Sequence, residues 1–426
     1  MNRSYVDSRG RPLVAITGAG VVTSLGVGKK QNWERLVAGQ SGIRPITRFP
    51  TDGLKTTIAG TVDDLGVEPY SAYELASTMA EIAAAEAVDQ ARIGGHRDFP
   101  GALIIATPPS ELEWPQLRDI HNAGDPELSG YARLLAAARQ GQFGALASHI
   151  RFAAIADRLM ERFGTRGTPL TICTACASGS TTIQLGVEAI RYGKTDAALC
   201  VGTDATVHPE GLVRFSLLSA LSTRNDPPQK ASRPFCKSRD GFVMAEGAGA
   251  LVLESYAAAK ARGATILGIV RGCGEKADAY HRTRSHPDGR AMIGALRRTL
   301  ADADTEPGEI DYVNAHGTST PENDKMECFS LAAIFGERLP HVPISSNKSM
   351  VGHTLIAAGS VEAVFTVQTL QTGVIPPTIN YDDPDPALAI DAVPNVSRTA
   401  DVRVALSNSF GFGGQNVCVV FSRDLL

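Results

Sequence analysis

The stretch "TICTACASGS", residues 171–180, sets Cys173 and Cys176 three apart among small and hydroxyl side chains. Three chemistries fit such a pair: a metal or redox CxxC, two core thiols, or one nucleophile with an incidental neighbour. Zinc would need another Cys or His pair at ligand spacing, and there is no second CxxC. A thioredoxin-like pair belongs to a smaller βαβ setting. Core burial, the commonest fate of such a thiol, is the reading for Cys173, which still belongs to the apolar run "TPLTIC". Cys176 stands where that run gives way to a helical pattern, with Ile183, Val187 and Ile190 at helical spacing and Gly193 as a stop. Free N–H groups and the helix dipole there are expected to lower a thiol pKa. Gly179 admits a close backbone or substrate. On this stretch alone, burial and nucleophile remain equal choices for Cys176.

Two histidines favour the nucleophile. "YVNAHGTSTPEND" puts His316 just past an apolar strand, on a loop of Gly and hydroxyl residues, and "ISSNKSMVGHTLIAAGS" does the same for His353. Strand C-terminal ends are where α/β proteins build sites. The other seven, His96, His121, His149, His208, His281, His286 and His341, read as surface or satisfied core residues. A cysteine and two histidines in matching settings point to acyl transfer on a thioester or ester. In "SNSFGFGGQN", glycines around Phe412 free the backbone to turn and aim an N–H at a ligand, or simply make a hairpin with core phenylalanines.

The elements that must carry these loops are short Val-, Ile- and Leu-rich runs alternating with helical patterns, which argues for α/β layers with strands buried on both faces. "SAYELASTMAEIAAAEAVDQARI" reads as a long helix and "GRAMIGALRRTLADADT" as a shorter one. The organisation expected is a polar leader (1–11), an N-terminal half (12–260) and a C-terminal half (261–426), with no close sequence repeat between the halves. The segment at about 108–150 is more polar and irregular, and reads as an insertion or lid-like excursion. "ITGAGVVTSLG" is GxGxxT without an acidic residue about twenty positions on, so a dinucleotide site is disfavoured.

Composition bounds the function. At 426 residues the chain is long for one core. A net charge of −4 gives no bulk attraction to nucleic acid or anionic membrane. No apolar run approaches a membrane span, and the start "MNRSYVDSRGRP" is not a secretion signal. Seven cysteines, an odd number, fit reduced thiols and a cytoplasmic protein better than a disulfide framework.

Taken in order, "TACASG", "LSTRNDPPQKASRPFCKSRDGFVMAEGAGALVLE", "NAHGTSTP", "NKSMVGHT" and "NSFGFGG" strongly resemble the elongating β-ketoacyl-acyl-carrier-protein synthases, closest to the synthase II type. The resemblance implies a thiolase-like fold, two similar α/β halves in five layers (α-β-α-β-α), usually homodimeric, with no metal or organic cofactor. Cys176 matches the acylated nucleophile, and His316 and His353 the two active-site histidines. Lys348 and Glu327 match a supporting ion pair near the second histidine. Thr318 and Thr320 match hydroxyls that bind the pantetheine arm. Phe410 and Phe412 match a loop gating the acyl pocket, and the N–H groups of Cys176 and Phe412 an oxyanion hole. The implied reaction is a decarboxylating Claisen condensation between acyl-Cys176 and malonyl-acyl-carrier protein, giving 3-oxoacyl-acyl-carrier protein in fatty acid elongation. A type II polyketide ketosynthase shares every motif, whereas a chain-length-factor-like subunit would lack the nucleophile.

Two departures stand out. "IIATPPSELEWPQ", with Pro108 and Pro109, replaces a Gly-rich stretch that shapes the acyl pocket, and Ser219 replaces a basic residue used for carrier docking. Both are read as signs of a specialised substrate, such as unusually long or hydroxylated chains.

Overall fold

The computed structural model describes residues 5–63, 65–67, 70–94, 97–109 and 111–424. His96 and the first four residues of the leader lie outside the described residues. Ten strands carry the architecture: β1 (Val14–Thr23), β2 (Ala102–Ala106), β3 (Leu170–Ile172), β4 (Ala197–Asp204), β5 (Gly247–Ser255), β6 (Gly268–Ala277), β7 (Tyr312–Asn314), β8 (Ile344–Ser345), β9 (Val404–Phe410) and β10 (Gln415–Ser422). The helices that matter here are α1 (Ala72–Ala91), α2 (Trp114–Ala123), α3 (Gly130–Arg139), α4 (Ser178–Arg191), α5 (Pro209–Leu217), α6 (Arg290–Ala303), α7 (Pro321–Phe335) and α8 (Ala358–Thr372).

The first five strands lie in the order β3-β2-β4-β5-β1, and the second five in the order β8-β7-β9-β10-β6. In each set the third, second and fourth strands are parallel, and the fifth runs antiparallel to the fourth and the first. One topology is thus used twice, and a short antiparallel pairing of β1 with β6 joins the two copies. Helix α1 packs on the outer face of the first set and α6 on that of the second, while α4 and α8 lie between and touch strands of both. These are the five alternating layers that the sequence resemblance implied.

Local sequence explains the tightness of the packing. Every residue of β1 is buried, as expected for a strand covered on both faces. A Cβ at Gly18 or Gly20 would lie 1.9 or 2.0 Å from the α1 carbonyls of Ala87 and Ala83. The glycines of "ITGAG" therefore admit a helix backbone; they do not serve a nucleotide. Helix α1 starts at Ser71, whose side chain accepts the Glu74 N–H, and buries an Ala-rich face that fits this close approach.

The segment 108–150 is more regular than its composition suggested. It folds into α2 and α3 with short helical turns, and Glu113 and Gln116 form a capping box at the start of α2. Its polarity misled because both helices rest on the surface, with one buried residue each. Among the described residues no helix is long and apolar enough to cross a membrane.

Candidate active site

Cys176 hangs from the end of β3 at the start of α4, after Ala175 in the left-handed region at φ 48°. His316 follows β7 and His353 follows β8, so the nucleophile belongs to one copy of the topology and both histidines to the other. The copies can meet because α4 and α8 cross glycine on glycine. A Cβ on Gly179 would sit 2.3 Å from Ser360 N, and one on Gly359 would sit 2.4 Å from Ser180 N. The close partner of Gly179 is therefore the backbone of α8.

A cavity of about 400 Å³ is lined by Cys176, His316, His353, Phe410, Phe412, Thr318 and Thr320. The two imidazoles stand edge to face with ring centroids 5.3 Å apart, and Phe410 lies 6.0 Å from His316. Their tautomers follow from their partners. Lys348 Nζ donates to His316 Nδ1 at 3.3 Å, and the Leu355 N–H donates to His353 Nδ1 at 3.3 Å. A ring nitrogen that accepts carries no proton, so in both rings the hydrogen is on Nε2. Burial, with Lys348 and His353 beside it, holds His316 well below the ordinary imidazole pKa; burial and Lys348 do the same for His353. The site therefore presents two neutral N–H donors at pH 7.

Cys176 is only 8% exposed, and the Phe412 N–H is near enough to its sulfur to favour the thiolate. Burial pushes its thiol up to about 11, against the pull of that N–H and of the Lys348 ammonium. The lowered pKa expected from the helix mouth is thus overturned: desolvation exceeds the dipole. Cys173 also departs from expectation. It is exposed rather than in the core, because β3 is a three-residue strand at the edge of its sheet.

The supporting pair is different from the one anticipated. Lys348 pairs with Glu362 on α8, both side chains being 3% exposed, and not with Glu327; its hydrogen bond is to the first histidine, not the second. Glu327 holds the histidine loop instead. It accepts the His316 and Gly317 N–H groups at 2.8 Å each and the Asn408 side-chain amide at 3.1 Å. Burial raises Glu362 to about 7, with Lys348 pulling it back down. Glu362 was missed in sequence, although one carboxylate inside the buried run "SVEAVFTV" has to find a charge partner. Thr318 and Thr320 hydroxyls lie 2.9 Å apart in the wall of the same cavity.

A second cavity of about 220 Å³ also reaches Cys176 and Phe412 and leads away between α1, α5 and the 108–113 segment, with Pro108 and Pro109 in its wall. Phe215, Leu355 and Phe412 are common to both cavities. The two cavities thus meet at Cys176, one reaching it past the histidines and the other from the side of α1 and α5.

A duplicated five-layered α/β scaffold with a thiol and two neutral imidazoles lining one cavity is that of a thiolase-like carbon–carbon condensing enzyme. The chain belongs to the β-ketoacyl synthase family: the model of its N-terminal domain matches residues 12–93 and 126–259, and that of its C-terminal domain matches 267–382. The unmatched stretch between the N-terminal matches overlaps the segment that walls the second cavity. The chain is 38% identical to the 3-oxoacyl-[acyl-carrier-protein] synthase 2 of Vibrio cholerae, over 96% of this chain and 99% of that one. It is 36% identical to the protein of the same name from Synechocystis, over 96% and 98%. A crystallised β-ketoacyl synthase from Burkholderia phymatum superposes with a TM-score of 0.84 at 32% identity, covering 97% of this chain and all of that one. A type II polyketide ketosynthase, solved in complex with its acyl-carrier protein, superposes at 0.85 with 30% identity over 97% and 100%.

Proposed function

We propose that this chain is an elongating ketosynthase that carries an acyl group on Cys176 and condenses it with malonyl-acyl-carrier protein. The observation that carries the reading is that Cys176 lines one cavity together with two imidazoles whose hydrogens are both on Nε2. In the first half-reaction the sulfur attacks the acyl thioester carbonyl. The S–H proton leaves with the departing carrier thiol, and the N–H groups of Cys176 and Phe412 steady the oxyanion. In the second, His316 and His353 donate to the malonyl thioester oxygen, CO₂ departs with cleavage of the C–C bond, and its electron pair becomes an enolate. That carbanion attacks the acyl-Cys176 carbonyl; 3-oxoacyl-carrier protein leaves, and the released thiolate takes a proton from solvent. Lys348 fixes the His316 tautomer, and Glu362 and Glu327 position Lys348 and the histidine loop. Thr318 and Thr320 bind the pantetheine arm, and Phe410 and Phe412 gate the acyl arm. No metal or organic cofactor enters, since decarboxylation supplies the driving force.

The names of the similar proteins support an acyl-carrier protein as the partner. The likeness to a polyketide ketosynthase favours, as a second reading, condensation on a polyketide chain. Cys176 argues against a chain-length-factor-like subunit. A homodimer fits the unpaired outer edge of β3, where Leu170 and Cys173 are exposed; sedimentation of the purified chain as a monomer would defeat that part. Seven free thiols favour a reducing, cytoplasmic setting. The test of the whole is intact mass after incubation with acyl-carrier thioesters, followed by malonyl-carrier protein. Acylation at Cys176 and release of a chain two carbons longer are expected; loading on any other residue overturns the assignment.

A further inference from the structure

The cavity leading from Cys176 toward the 108–113 segment has an apolar wall, including Tyr73, Ile155, Phe215 and Ile356, that suits a hydrocarbon chain. Polar groups interrupt that wall. Glu113, Asp204 and His208 also line it, and each is largely buried. A plain alkyl chain gains nothing from such groups and would strip them of water.

His208 is the telling one. It is 3% exposed, and its Nδ1 lies 2.9 Å from Glu210 Oε2. The Gly211 N–H also approaches this nitrogen, at 3.3 Å, but the two contacts cannot both hold; unlike the partner of His353, a carboxylate can only accept, so the ring proton is assigned to Nδ1, toward Glu210. Nε2 is then an acceptor, and it has no hydrogen-bonding partner among the described residues. The pairing with Glu210 accounts for Nδ1 alone. Close by, Glu210 also accepts the Trp114 N–H, and Glu113 accepts the Ala72 N–H at 2.8 Å. This corner of the cavity therefore holds acceptors whose own donors come from behind the wall.

We propose that this cavity selects acyl chains bearing a hydroxyl along their length, with the hydroxyl donating to His208 Nε2. The proposal rests on the ketosynthase reading above and names the substrate class of its acyl arm. Glu210 is a positioning residue that fixes the His208 tautomer. A donor is required: a keto group would meet only acceptors.

The test is single-turnover loading of Cys176, followed by intact mass. The probes are synthetic carrier-protein thioesters of matched length, either plain or carrying one hydroxyl moved stepwise along the chain. At one hydroxyl position, kcat/KM should exceed that of the plain chain by about tenfold, the worth of one buried hydrogen bond. The ratio should fall to about one in His208→Asn, which keeps a capping side chain but is too short to reach, and severalfold in Glu210→Gln. Plain chains loading as fast as every hydroxylated chain in the wild type would overturn the proposal while leaving the ketosynthase reading intact. A ratio that persists in His208→Asn would overturn the role of that imidazole. Loading by no thioester at all would instead strike the ketosynthase reading, and the proposal with it.

Discussion

The Lys348–Glu362 pair can be taken apart so that folding and chemistry separate. Both groups are 3% exposed, and Lys348 also donates to His316 Nδ1. Removing one partner, as in Lys348→Met or Glu362→Leu, leaves the other charge buried and uncompensated, at a cost of about 3–5 kcal/mol. With an unfolding entropy of about 2.1 cal/mol/K per residue, the 426 residues give roughly 0.9 kcal/mol/K, so each single variant should melt about 3–6 °C lower. The double variant buries two apolar side chains of similar volume and should melt within about 2 °C of the parent. Its chemistry should not recover. Without the ammonium, the His316 proton is free to sit on either nitrogen, and the loss of one fixed donor is worth about 3 kcal/mol, or roughly a hundredfold in condensation. The assays are differential scanning calorimetry and release of 3-oxoacyl product from pre-acylated enzyme. A double variant as unstable as the singles, or one that condenses at the parental rate, would refute the argument.

Three further outcomes are expected. Cys176→Ala should abolish condensation while the exposed Cys173→Ala keeps most of it; equal losses by product assay would move the nucleophile. Gly359→Ala forces a Cβ against Ser180 N and should cost about 1–3 kcal/mol while cutting turnover more than the melting temperature suggests; unchanged turnover would show that the crossing does not set the site. The third concerns acid stability. His316 and His353 have folded pKa values depressed below the unfolded value near 6.5, so they favour folding fully above pH 6.5, and that contribution is lost as pH falls below it. The His353→Gln variant should therefore lose stability less steeply below pH 6.5, by about 1.4 kcal/mol per pH unit. Parallel curves from chemical denaturation would rule out a buried neutral ring.

Much of this was visible in the chain. Strands covered on both faces contain little but Val, Ile, Leu, Ala and Gly, so β1, β4 and β5 announce themselves as apolar runs. Cys176, His316 and His353 were marked by their place after such runs, and the resemblance then gave them roles. What escaped depends on neighbours far away in sequence. Glu362 was passed over because its partner, Lys348, lies 14 residues away in the chain and is brought to it only by the fold. Cys173 reads as core because an edge strand has the same letters as an interior one. The dipole at Cys176 is legible, but the burial that outweighs it is not. Segment 108–150 seemed irregular because short surface helices carry a weak apolar period.

The repeated topology has one more implication. On the proposed mechanism, the repeat containing Cys176 takes charge of an acyl group but has no means of unmasking a carbanion. The repeat containing the two rings could generate one but would have nothing to join it to. Neither repeat could then carry the whole activity by itself, and bond-making would belong to the seam, where two glycines let the helices touch.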